Sequence, residues 1–201
     1  MKRKVLLSVC SVLLLVSIFV TVNTSIRATA SYKIDKNLEQ IMKDISQNLN
    51  NLLPSLDDRN SESINDANSE ENPEYLFSSN PYSYIKDNEG FDNIVQLGIE
   101  ALDPIRNKIN ESEENGLREY ILAIAGEEIA KVNLKKGSYN WSNGKEWVKE
   151  WEKHLVNIPD NIERIINSNK TDEVKFEALE KLGMPAVPFL IDEIEKGYNK
   201  Y

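Results

Sequence analysis

The sequence predicts an all-α protein in which antiparallel helical hairpins stack into a short solenoid. One stretch occurs twice: Phe91, Leu97, Gly98, Ala101 and Leu102 return at a constant offset of 85 residues as Phe176, Leu182, Gly183, Ala186 and Val187. Each copy reads as a short helix, a glycine stop and a second amphipathic helix. Units repeated in this way bury their apolar faces by stacking on one another and offer a surface rather than a pocket. Elsewhere apolar residues recur at steps of three and four, the helical period. No sustained period-two alternation occurs, and the Asn143-Gly144 pair lacks flanking strands.

Residues 1–30 read as a targeting segment. Lys2, Arg3 and Lys4 precede an apolar run over residues 5–22, and Ala28-Thr29-Ala30 places small residues where a signal peptidase reads them. Cleavage after Ala30 makes the protein secreted or cell-surface. The alternative is an uncleaved anchor, since the run approaches the ~20 apolar residues that cross a bilayer. Cys10 follows a valine too large for a lipoprotein box, and it leaves with the segment, so the exported chain has no disulfide. Loss of Lys2, Arg3, Lys4 and Arg27 takes the formal net charge from −9 to −13. Such an acidic surface repels nucleic acid and anionic lipid, whose binding depends on clustered Lys and Arg.

Residues 31–56 form an isolated amphipathic helix, with Ile34, Leu38, Ile41, Ile45, Leu49 and Leu52 on one face, ended by Pro54. That stripe docks on the main domain or mediates association. Residues 57–80, rich in Asp, Glu, Ser and Asn, bury too little to offset ordering entropy and read as a disordered linker.

The helical domain occupies residues 81–201. Residues 91–97 form its first helix, and Gly98 stops it. The partner over 100–109 turns Ala101, Leu102, Ile105 and Ile109 inward. Ser112 caps a third helix reaching about residue 132, with a stripe of Leu117, Tyr120, Ile121, Ile124 and Ala125. After a loop at 135–143, Asn143 and Glu146 form a capping box for a helix bearing Trp147, Val148, Trp151 and Leu155. Pro159 opens a short helix with Ile162, Ile165 and Ile166. Thr171 caps the next, with Val174, Ala178, Leu179 and Leu182 inside. Gly183 ends it, and Pro185 starts the last, with Ala186, Phe189, Leu190 and Ile194 inside.

Leu182-Gly183-Met184-Pro185-Ala186-Val187-Pro188-Phe189-Leu190 resembles the turn and second helix of a HEAT-like repeat, and the stretch from Leu97 to Ile105 is a weaker copy. Trp141, Trp147 and Trp151 resemble a Trp-rich helix between such repeats. The resemblance covers roughly residues 89–198. The chain resembles small exported HEAT-like proteins of Gram-positive bacteria, and the resemblance implies architecture without known chemistry. The offset of 85 residues exceeds one repeat of ~40–47, so a degenerate unit is expected between the copies, over 117–167.

Catalytic constellations are not legible. His154 is the only histidine and reads as half-exposed on its helix; with Cys10 gone, no Cys/His zinc site can be assembled. No Gly-x-Ser-x-Gly elbow accompanies it. Gly137 and Gly144 are separated by six residues where a phosphate loop needs four, and Glu146 stands in its Ser/Thr place. Glu113-Glu114 and Glu127-Glu128 diverge by ~100° around a helix and do not converge as acid pairs. No EF-hand loop occurs. The candidate contact residues are therefore aromatic: Tyr139, Trp141, Trp147 and Trp151. The four-residue step puts Trp147 and Trp151 in the core, whereas Tyr139 and Trp141, in a Gly/Ser/Asn loop, are expected at the surface.

Together these features imply an exported, non-enzymatic binding or adaptor module for a protein or cell-envelope component, with no cofactor and no metal. The alternative is a carbohydrate-binding protein or glycoside hydrolase using the aromatic region 139–151.

Overall fold

The protein is all-helical. The computed structural model describes residues 2–57, 80–137 and 139–198, and no strand occurs among them. The linker expected over 57–80 lies, apart from its two ends, outside the described residues. Among the described residues seven α-helices run in chain order: α1 (Lys2–Asp57), α2 (Glu89–Val95), α3 (Leu102–Glu111), α4 (Leu117–Ala130), α5 (Gly144–Ile166), α6 (Asp172–Glu180) and α7 (Val187–Tyr198). Short 3-10 turns at Pro81–Tyr84, Gly98–Ala101, Leu134–Lys136 and Met184–Ala186 join them.

The helix of residues 31–56 is not isolated. It is the C-terminal half of α1, and Ile34, Leu38, Ile41 and Ile45 lie in the main hydrophobic core against α2 and α3. A β-carbon on Gly90 would stand 2.9 Å from Ile41 Cγ1 and 3.0 Å from the Asn37 carbonyl, so α2 approaches α1 as closely as backbone allows. Arg27–Asp103 (2.8 Å) and Lys108–Asp35 (2.7 Å) bridge α1 to α3. The segment around Ala28-Thr29-Ala30 is helical within α1, with Ala30 buried. Pro54 does not end the helix, which continues to Asp57; a proline removes one N–H donor, and the flanking turns carry the helix past it. No helix is long and apolar enough to cross a membrane among the described residues; the side chains of residues 1–20, which hold most of the apolar run at 5–22, lie outside that description.

Helix α4 is the centre of the main layer. Every residue from Ile121 to Glu127 is buried, so its whole circumference, rather than a stripe, meets neighbouring helices. It starts at Leu117, not at Ser112. Ser112 instead ends α3 in extended conformation and donates its hydroxyl to Glu119 Oε1 (2.8 Å), while Gly116 N–H donates to Glu119 Oε2 (2.8 Å). At α5, Asn143 Oδ1 accepts from Glu146 N–H (3.0 Å), the first half of the expected capping box. The Glu146 carboxylate reaches one residue further back, to Ser142 N–H (2.9 Å) and its hydroxyl (2.7 Å).

Pro159 lies inside α5 and does not begin a new helix. The buried row Trp147, Trp151, His154, Ile158, Ile162 continues across it at helical spacing, and burying that row offsets the lost backbone bond. Ile158 and Ile162 leave the main core to form a second, smaller cluster with Leu182 and Ala186. Leu155 touches both clusters.

The two copies correspond locally at their glycine turns and differ in their packing. Gly98 and Gly183 both have positive φ (67° and 75°), each opens onto a 3-10 turn holding a fully buried alanine, and Leu102 and Val187 begin the following helices 85 residues apart. However, α2 and α3 lie between α1 and α4, whereas α6 and α7 take their main packing from α5 alone. Val174, Phe189 and Ile194, expected inside, are exposed.

Candidate functional site

The two hydrophobic clusters do not merge, and a groove runs where they meet. One wall is the chain from Lys131 to Gly137, the floor is the middle of α5, and the far wall is the end of α6 from Glu180 to Leu182. The cavity measures about 900 Å³, and a neighbouring one of about 540 Å³ shares Tyr139, Asn161 and Leu182 with it. Both lie in the size range of ligand sites.

Local chemistry builds each wall. Lys131 sits in left-handed conformation (φ 54°, ψ 40°) and turns the chain off α4. Glu127 then pins the outgoing segment: Oε1 accepts the Leu134 N–H (3.2 Å) and the indole N–H of Trp141 (2.8 Å). Burial raises the Glu127 pKa, and these hydrogen bonds and Lys135 pull against that rise. Lys135 Nζ lies 3.7 Å from the Trp141 ring centroid and donates to the Tyr120 hydroxyl (2.6 Å). The wall is thus a polar clasp closed over the end of α4.

The floor is set by His154. It is buried, not half-exposed, and its Nε2 stands 3.0 Å from the Leu182 carbonyl. A carbonyl only accepts, so Nε2 carries the proton and the ring holds the α6–α7 turn to α5. Burial lowers the His154 pKa, opposed by that hydrogen bond. Tyr139 meets the ring edge-on (centroids 5.9 Å apart) and accepts from Asn157 Nδ2 (3.3 Å).

Of the aromatic residues expected to make contacts, Tyr139 alone lines the groove. Trp141, expected at the surface, is 2 % exposed because its N–H is drawn inward to Glu127 and its face is covered by Lys135. Trp147 and Trp151 are core residues, stacked at 5.5 Å with planes 10° apart. No tryptophan face is therefore presented to a sugar ring. The buried Trp147 N–H has no hydrogen-bond partner; its ring lies on Gly126, where a β-carbon would come within 2.6 Å of it.

Sequence reasoning missed the rim. Lys131, Lys136 and Lys181 border the larger cavity and Arg164 the smaller, with Glu180 and Asp160 as the acids among them. Val132, Leu134 and Leu182 supply apolar lining, and Asn133 and Asn161 supply amides. The rim is locally basic on an acidic protein, and no motif announces it, since its members come from three separated segments. Among the described residues no group of three or more His, Cys, Asp or Glu side chains is placed to hold a metal ion. Glu127 faces inward and Glu128 outward to Lys131 (2.7 Å), so the adjacent carboxylates diverge.

Comparison with known proteins finds no protein family, curated relative or solved structure that matches this chain.

Proposed function

We propose that this protein is an exported binding module, with residues 1–30 directing export, and that it receives an anionic segment of a protein or cell-envelope partner in the groove beside Tyr139. The observation that carries the reading is the groove itself: an apolar lining, amide side chains for orientation, and lysines on the rim. Partial burial gives a ligand apolar contact, and the cations select its charge. Within the lining His154 is committed to the Leu182 carbonyl, and the acids Glu180 and Asp160 stand on the rim, so recognition is better supported than chemistry.

Site-specific photocrosslinking tests the proposal. A photoreactive residue replacing Asn161 or Lys181 is expected to capture one envelope component in intact cells, and a Lys131→Glu/Lys136→Glu background is expected to abolish the capture. A probe replacing Asp92, on the distant helix α2, serves as the control. Equal capture from Asp92, or capture unaffected by the charge reversals, would refute the groove as the site.

A further inference from the structure

The two copies of the repeated unit carry apolar residues at matching positions, yet only one copy is covered. Phe91 is 8 % exposed and its counterpart Phe176 is 68 % exposed; Ile109 is fully buried and its counterpart Ile194 is 57 % exposed. Pro104 and Phe189 are related in the same way. In the first copy α1 and α4 flank the pair, whereas in the second α5 packs on one side. Val187, Ile191 and Ile194 follow one another at i, i+4 and i+7, so they form one continuous stripe along α7. All three are exposed. An unpaired stripe of this kind on a folded helix marks an interaction surface.

We infer that the open face of α6–α7 binds an amphipathic helix of a partner protein, with an apolar stripe flanked by Lys or Arg. The occupant is a helix because a helix covers the matching residues of the first copy. Its charge follows from α6 and α7: apart from Glu180 and Lys181 on the groove wall, residues 172–197 carry six acids against two lysines. Both lysines are engaged: Lys196 is paired with Glu193 (2.6 Å) and Lys175 donates to the Ile166 carbonyl (2.8 Å). Glu195, four residues after Ile191, borders the stripe. A second copy of this face, or an anionic bilayer, would bring like charge against it. This site is separate from the groove and stands or falls independently of it.

The probe is a pair of labelled synthetic helical peptides with the same leucine stripe, one flanked by lysine and one by glutamate, titrated into the full exported chain. The lysine peptide is expected to bind at least tenfold more tightly, to weaken with added salt, and to protect α7 amides from exchange. Ile194→Ser and Phe176→Ser, at exposed positions, are expected to weaken it at least tenfold with the circular dichroism spectrum unchanged. Tyr139→Ala is expected to leave it unaltered. Equal binding of the two peptides, binding of neither, or loss on Tyr139→Ala would overturn the inference. So would a concentration-dependent dimer abolished by Ile194→Ser, which would make a second copy the occupant.

Discussion

Replacing Gly183 with alanine tests how the C-terminal hairpin is held. The residue adopts φ 75° and ψ −170°, a region that side chains avoid, and the strain for alanine is about 1–3 kcal/mol. A β-carbon there would also lie 2.3 Å from Val132 Cγ2 and 2.5 Å from the Ala130 carbonyl oxygen. The second obstacle is backbone and cannot swing aside, so the turn itself must move. Moving it draws the Leu182 carbonyl away from His154 Nε2, now 3.0 Å distant, which costs a further ~1–3 kcal/mol because the buried ring loses its partner. The expected total is about 2–6 kcal/mol, a large share of an ordinary domain stability. Gly98 provides the internal control: its φ is 67°, yet nothing lies within 4 Å of a β-carbon there, so Gly98→Ala should cost only the ~1–2 kcal/mol of left-handed strain. Denaturant unfolding followed by circular dichroism gives both values. Native-state hydrogen exchange locates the effect, with protection lost first in α6 and α7 and kept in α1 and α4. Equal costs at the two glycines, or a Gly183→Ala penalty below about 1 kcal/mol, would refute the reasoning.

Gly126→Ala pushes a methyl into the Trp147 ring and is expected to destabilise by about 1–3 kcal/mol. Adding Trp147→Phe, which removes the crowded part of the indole and its unpartnered N–H, should recover part of that loss; a purely additive double variant would count against the contact. The pH dependence of stability should show two opposed contributions. His154 is held neutral, with its pKa lowered, so its contribution is present above the ordinary histidine range and is lost as pH falls from about 6.5 through the lowered value. Glu127 has a raised pKa, so its contribution is present below the ordinary carboxylate range and is lost as pH rises through the raised value. His154→Gln and Glu127→Gln, each able to keep the neighbouring hydrogen bonds, should flatten opposite limbs of the stability–pH curve. An unchanged slope in either variant would show that the group does not titrate on unfolding.

Local features were legible to the extent that local chemistry decides them. The positive φ of Gly98 and Gly183 follows from steric freedom that glycine alone possesses. The Asn143 cap and the inward step from Trp147 to Trp151 depend on a few neighbouring residues and the helical period. The same reasoning misplaced Pro159, because a proline's local cost was read without the tertiary burial that carries the helix past it. Trp141 was misread because a Gly/Ser/Asn loop reads as surface when its partner, Glu127, is fourteen residues away.

By itself the sequence determined the helical class, the amphipathic stripe of α1, the glycine-stopped repeat and the acidity of the chain. Each follows from short-range sterics, from periodicity or from composition. Only the tertiary structure decided that α1 completes the core, that His154 ties the α6–α7 turn to α5, and that scattered lysines border one groove. It alone separated Phe91, which is buried, from Phe176, which is not, although both belong to the same repeated pattern. The physical reason is that a pattern specifies which face of a helix is apolar, whereas burial depends on what lies opposite. Opposite α2 and α3 the chain supplies both α1 and α4; opposite α6 and α7 it supplies α5 and leaves the other side open.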